Sequence, residues 1–265
     1  MEHVKLIQVG KTVSSGKAKP IIKLLGNALS DYGFRFRELV TVTCTADTIA
    51  LKAIGVGTEV YLNHVADIRK NKQHLLEVDM QTTGINPKLP THQLCLTLEE
   101  RVLTRFNYKM GDPLLAVFSQ GFISLKKIPP SVLGFDDEMQ FKILSVYKRT
   151  RNNIDLPFID CCDDWIQSCG FIGGQYANVT YTDKGLTMSF TPTSHQLERV
   201  KNGAYPPQIN VTTLKKKNKV CPRLRLAGQW LNDIGYRVGD TLLIGYKSNL
   251  IVLKHIDLAS LVSLI

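Results

Sequence analysis

Four lysines in five residues, Lys215-Lys216-Lys217-Asn218-Lys219, run into a stretch where Arg223 and Arg225 alternate with Leu224 and Leu226. These residue types, so spaced, can hold phosphate. The ammonium groups supply point charges, and a guanidinium adds a planar fork that grips two oxygens at once. Two further runs have the same character: Lys148, Arg149 and Arg151 beside Asn152 and Asn153, and Lys11, Lys17 and Lys19 among glycines and serines. A basic run taken alone reads equally well as a solvated face. Three runs at equivalent places in a repeated pattern favour a surface for a polyanion, as does the chain's net charge of +10.

Other chemistry is thinly represented. Asp155, Asp160, Asp163 and Asp164 could hold a divalent cation, but aspartates at a helix start are common caps, and the sequence gives no partner set. Glu99 and Glu100 are best read as complements to a helix dipole. Cysteines 44, 95, 161, 162, 169 and 221 contain no CxxC pair and read as reduced core thiols. The six histidines are isolated, with no metal spacing, and the repeats bring no histidine together with a lysine or arginine as a catalytic pair. No cofactor or metal site is expected, and the sequence identifies no catalytic constellation.

The elements that position these residues form a repeat that occurs four times. Each unit reads as a strand, an arm, a strand with period-2 alternation, a short helix, a strand, a tight turn and a closing strand. The upstream strands are Val4 to Val9, Leu75 to Met80, Phe141 to Val146 and Ile209 to Leu214. The helix-ending position is Gly33, Asn107, Gly170 and Gly235; Gly and Asn tolerate positive φ best. An aromatic always follows: Phe34, Tyr108, Phe171 and Tyr236. The basic runs fall on the arms of units one, three and four, while the arm of unit two carries only Lys88.

The fourth unit resembles the SymE toxin family, itself similar to the swapped-hairpin barrels of AbrB-type regulators and MazE-type antitoxins. The resemblance rests on Pro222, Leu224, Leu226, Gly228, Trp230 and Leu231, then Gly235-Tyr236 and Gly239-Asp240. Unit one matches more weakly, through Ile22, Leu24, Gly26 and Gly33-Phe34; Glu100 and Asp163 stand where the motif has Gly228. The resemblance implies a mainly β fold with short helices, in which two units interleave to close one AbrB-like swapped-hairpin (double-ψ-like) β-barrel. It also implies nucleic-acid binding, or RNA cleavage by a toxin-antitoxin type endoribonuclease.

Four short strands cannot bury a core alone, so the units are expected to pair. Chain economy favours one with two and three with four. The expected organisation is a first barrel over 1–128 (repeats 1–54 and 74–128), a linker over 129–138 marked by Pro129-Pro130, and a second barrel over 139–265 (repeats 139–190 and 208–256). A charged helix is expected over Glu59 to Lys72, and an apolar tail over Ile256 to Ile265 packs on a barrel or a partner. With no long apolar start and no run of about 18 apolar residues, a cytoplasmic protein that binds no membrane is expected. The leading expectation is a monomer of pseudo-dimeric barrels that binds RNA or DNA. The expected contacts are Lys215, Lys216, Lys217, Lys219, Arg223, Arg225, Lys148, Arg149, Arg151, Lys11, Lys17 and Lys19. A protein-interaction scaffold is the remaining alternative.

Overall fold

A computed structural model describes residues 3–57, 59–64, 74–83, 91–151, 153–182, 187–197, 205–216 and 219–264. The chain divides into two compact units, Met1–Pro129 with Val262–Ile265, and Pro130–Leu261. Both are mainly β, with short helices. No helix among the described residues is long and apolar enough to cross a membrane.

The first unit contains β1 (His3–Gln8), β2 (Gly10–Ser14), β3 (Lys17–Leu25), α1 (Asn27–Asp31), β4 (Glu38–Cys44) and β5 (Thr48–Val56). It continues with β6 (His74–Glu77), β7 (Asp79–Thr83), β8 (Thr91–Leu98), α2 (Glu100–Arg105), β9 (Pro113–Ser119) and β10 (Phe122–Lys127). One sheet has the order β1-β9-β10-β5-β4-β6 and the other β2-β3-β8-β7. The chain passes between the two sheets at Val9 and at Val78, so they follow one another around a core that includes Ile22, Val42, Leu96, Leu98 and Leu125. Residues 59–64 are helical; the remainder of the expected helix to Lys72 lies outside the described residues.

The second unit contains β11 (Gln140–Ser145), β12 (Tyr147–Arg151), β13 (Ile154–Cys162), α3 (Asp164–Ser168), β14 (Tyr176–Thr182) and β15 (Thr187–Thr193). Next come β16 (Gln208–Lys216), β17 (Lys219–Ala227), α4 (Gln229–Asp233), β18 (Thr241–Lys247) and β19 (Leu250–His255). A last helix, α5, covers Leu258–Leu264. The strands make one sheet, β11-β18-β19-β15-β14-β16-β17-β13-β12. Its terminal strands β11 and β12 are joined through Val146, so the sheet bends into a nearly closed barrel. Residues 129–138, read from the sequence as a linker, carry a 3-10 turn (Pro130–Leu133) and two buried side chains, Leu133 and Phe135. Phe135 packs edge-on against Phe141, and Lys247 pairs with Asp136.

Pairing is reciprocal within each unit. The first strand of one repeat lies on the hairpin of the other: β1 on β9 and β6 on β4, then β11 on β18 and β16 on β14. Repeats one and two therefore close on each other, as do three and four. Neither half could bury its strands alone, since each hairpin lacks its outer neighbour until the other repeat supplies it.

Two local devices recur in all four repeats. The first is a buried valine where the first strand meets the arm: Val9, Val78, Val146 and Val211. Its N–H donates to Asp112, Glu38, Asp240 or Gln175, and its carbonyl accepts from Gly111, Arg37, Gly239 or Gly174. Both bonds reach a tight turn of the partner repeat. Asp112, Glu38 and Asp240 brace that turn by accepting the N–H three residues upstream. The second device ends the helix. Gly33, Asn107, Gly170 and Gly235 have φ of 87°, 59°, 81° and 96°. The N–H groups of Phe34, Tyr108, Phe171 and Tyr236 each bond back five residues, to Leu29, Leu103, Ile166 and Leu231. This is a Schellman closure, and it drives the following ring into the core, where all four aromatics are buried.

Helix starts differ between repeats. Gly26, Asp163 and Gly228 precede their helices with φ of 105°, 134° and 139°. A Cβ on Gly228 would stand 2.9 Å from the Trp230 ring, so that position favours glycine twice over. Glu100 stands in the aligned place of repeat two, but it is the first helical residue there. The cap is Glu99, extended at φ −94°. A longer helix thus removes the need for positive φ at a glutamate.

Candidate nucleic-acid interface

The arms of repeats three and four share one continuous surface, because β13 and β17 pair directly. The four strands run β16-β17-β13-β12. Alternation sends Pro157, Ile159, Cys161, Leu224 and Leu226 into the core. On the outer face the register sets Tyr147 opposite Phe158 and Phe158 opposite Ala227. Arg149 faces Leu156, Arg151 faces Ile154, and Asp160 faces Arg225.

The centre of this face is the Phe158 ring. The guanidinium carbon of Arg149 lies 5.9 Å from the ring centroid, and that of Arg225 lies 5.6 Å from it. Both are within range of a cation–π contact, so each arginine rests on the ring. Both arginines are exposed, as is Arg151. Tyr147 is 54% exposed and Ile154 60% exposed on the same face, and the Tyr147 side chain makes no hydrogen bond or ring contact among the described residues.

Several of the expected phosphate contacts are engaged within the chain. Arg223 holds Asp160 through two hydrogen bonds, Nε to Oδ1 at 2.6 Å and Nη2 to Oδ2. Both side chains are mostly buried, and the Asp160 contact raises the guanidinium pKa further. Lys219 pairs with Asp164 at 2.6 Å, which raises its pKa as well. Lys148 pairs with Asp155 at 3.1 Å, and Asp155 also accepts from the Thr150 hydroxyl at 2.7 Å. That hydroxyl first, and Lys148 second, hold the Asp155 pKa below its usual value. Lys19 pairs with Glu100 at 2.7 Å.

Three of the four aspartates considered for a cation are thus bound to basic side chains, and Asp163 serves as the positive-φ residue before α3. Among the described residues no cluster suited to a metal ion occurs.

The expectation of one basic surface spanning arm and strand face is therefore corrected. Lys148 faces Pro157 and Lys215 faces Val220, so alternation turns both to the other side of their ribbons from Arg149 and Arg225. Lys216 lies opposite Lys219 in the ladder, while its side chain and Lys217 lie outside the described residues. Lys11 and Lys17 are exposed on the β2–β3 hairpin of the first unit. Lys11, Lys17, Lys215, Arg149, Arg151 and Arg225 have no ion-pair partner among the described residues.

The sequence reading did not include Tyr147 or Phe158. The available signal was alternation: Tyr147, Arg149 and Arg151 share a parity, as do Ile154, Leu156 and Phe158, which interleaves rings with arginines once the hairpin is closed.

A cavity of about 440 Å³ lies between the Gly174–Tyr176 turn and Asn210–Thr213 of β16. Its lining has no carboxylate, histidine, cysteine or basic group, so it offers neither acid–base chemistry nor charge for an anion. No family model, curated protein or solved structure matches the chain.

Proposed function

We propose that the chain is a nucleic-acid-binding protein of the SymE/AbrB-like type, with its binding surface on the outer face of β12, β13 and β17. The single observation that carries this reading is the placement of exposed Arg149 and Arg225 on one aromatic ring, with Arg151 beside them. Two uncompensated guanidinium groups held on a hydrophobic support are set to meet phosphate oxygens without first breaking an internal ion pair. We assign both units to the AbrB-like swapped-hairpin barrels; the reciprocal exchange of first strands between repeats supports that assignment. Binding is the activity we carry forward rather than RNA cleavage. Asp160, the carboxylate on this face, is held bidentate by Arg223 and cannot take up a proton without losing that pair.

The test is fluorescence anisotropy on labelled RNA and DNA as salt is raised. Phosphate-led binding gives an affinity that falls linearly on a log–log plot, with a slope set by the number of phosphates neutralised. The double variant Arg149→Ala/Arg225→Ala is expected to bind roughly tenfold or more weakly and to lower that slope by about 2. Equal affinity of variant and parent for both nucleic acids overturns the reading. Shortened RNA in the same incubations would move the assignment to a SymE-like endoribonuclease.

A further inference from the structure

We infer that the outer face of β12, β13 and β17 takes single-stranded nucleic acid, with bases stacked on Tyr147 and on the Arg149–Phe158–Arg225 layer; this inference rests on the reading just given. The chemistry of the face separates the two forms of nucleic acid. A two-stranded ribbon can enter a duplex major groove, but it reads base edges there with hydrogen-bonding side chains. The outward positions of the β12–β13 ribbon are Tyr147, Arg149 and Arg151 on one strand and Ile154, Leu156 and Phe158 on the other. Rings and aliphatic groups would meet little in a groove beyond a thymine methyl. They find a flat apolar partner only in a base that has left its stack.

Guanidinium placement points the same way. Arg149 and Arg225 lie against a ring instead of standing off the sheet as a fork for a base edge. A guanidinium plane that rests on an aromatic presents a second face on which a base can stack. Tyr147 follows Phe158 across the sheet, exposed and without a partner, so the layer continues as an open ring. Phosphates of the strand meet Arg151 and the N–H groups of the two guanidinium groups on the ring. Every base has a π face, so the predicted recognition tolerates sequence and scales with stacking. Ribose and deoxyribose strands share this chemistry, and the comparison of sugars below distinguishes them.

The experiment uses the full chain and three probes of one sequence: a single-stranded oligoribonucleotide, the matching oligodeoxyribonucleotide, and its DNA duplex. A fourth probe is the single-stranded DNA with abasic sites in place of its bases. Wild-type protein is expected to bind the single strands at least tenfold more tightly than the duplex at equal salt. Tyr147→Ala should weaken single-strand binding about 5- to 150-fold, the range of one lost stacking contact, and leave the salt slope unchanged. Tyr147→Phe should restore affinity, since the ring and not the hydroxyl carries the contact. The abasic probe should bind wild type and Tyr147→Ala alike. Tyr147 is exposed, so its removal leaves the core intact, and circular dichroism verifies this. Duplex binding as tight as single-strand binding, with Tyr147→Ala silent, overturns the stacking inference and leaves phosphate-led binding standing. Failure of every probe to bind at low salt overturns both.

Discussion

The two units share a frame and differ on one face. Register makes the positions directly comparable: Tyr147 opposite Phe158 in the second unit corresponds to Gly10 opposite Ile21 in the first. Arg149 and Arg151 are replaced by Thr12 and Ser14, Asp160 by Lys23, and Arg223 and Arg225 by Cys95 and Thr97. The first unit keeps lysines on this hairpin but, among the described residues, no ring supports them, and Lys19 is tied to Glu100. The amount of charge is not what differs. Residues 1–129 hold 17 Lys and Arg against 11 Asp and Glu, and residues 130–265 hold 16 against 12. What differs is whether cations stand alone or are layered on an aromatic. Inward positions and turns fix the fold and are kept in both units; outward positions alternate with them and can change without disturbing it.

The most damaging test strikes what the units share. Tyr236→Ala and Tyr108→Ala each empty a fully buried ring position and should cost about 3–5 kcal/mol in their own unit. Both tryptophans, Trp165 and Trp230, belong to the second unit. Denaturation followed by tryptophan fluorescence should therefore shift for Tyr236→Ala, while Tyr108→Ala shifts only the transition seen by circular dichroism. A shift of the tryptophan signal by Tyr108→Ala would break the separation.

A weaker test strikes what differs. Asp160→Ala leaves Arg223 mostly buried without its partner and should destabilise the second unit by about 1–3 kcal/mol. Lys23→Ala, at the equivalent exposed position, should stay within about 0.5 kcal/mol of wild type in the same urea titration. Equal costs would mean that the ion pair contributes nothing to the frame.

The comparison sharpens at the phenol groups. Tyr236 donates to the Leu253 carbonyl at 3.4 Å, whereas the buried Tyr108 hydroxyl has no hydrogen-bond partner among the described residues. Tyr236→Phe should lose about 0.5–1.5 kcal/mol, and Tyr108→Phe should be neutral or stabilising. A loss at Tyr108 as large as at Tyr236 would contradict that difference.

The smallest effect is a pH dependence confined to the β12–β13 hairpin. The folded Asp155 pKa lies below its usual 3.8, so its contribution is fully present above that value and is lost as pH falls through the lower folded value. Asp155→Asn should flatten stability in that acidic window alone, read by urea denaturation across pH. An unchanged acid limb would show that the Thr150 hydrogen bond and the Lys148 pair together make no contribution.

Much of the frame was legible because it is local. A helix that must end at positive φ calls for Gly or Asn whatever surrounds it, and Gly33, Asn107, Gly170 and Gly235 announce the repeat. Leu224 and Leu226 announce an inward face by alternation alone. Even the local signals had limits. Glu100 aligned with a glycine, and only the longer α2 shows how the chain avoids strain there. Arg37 takes φ 63° in a turn where two other repeats place glycine before aspartate, a conformation nothing in its own residue type requires. The candidate site was half legible. Arg149 and Arg225 are legible as cations, but nothing local marks Phe158 as their support, and Lys148, Lys219 and Arg223 read as available although each holds an aspartate.

By itself, then, the sequence determined the fourfold repeat, the side of each strand that faces inward, and the places where each helix stops, because steric and hydrophobic rules act over a few residues. Only the tertiary structure decided which cations stand on a ring and which are neutralised. Asp160 and Arg223 are 63 residues apart and come from different repeats. The β13–β17 register that joins them is set by packing two repeats around one core, and no local pattern carries that information.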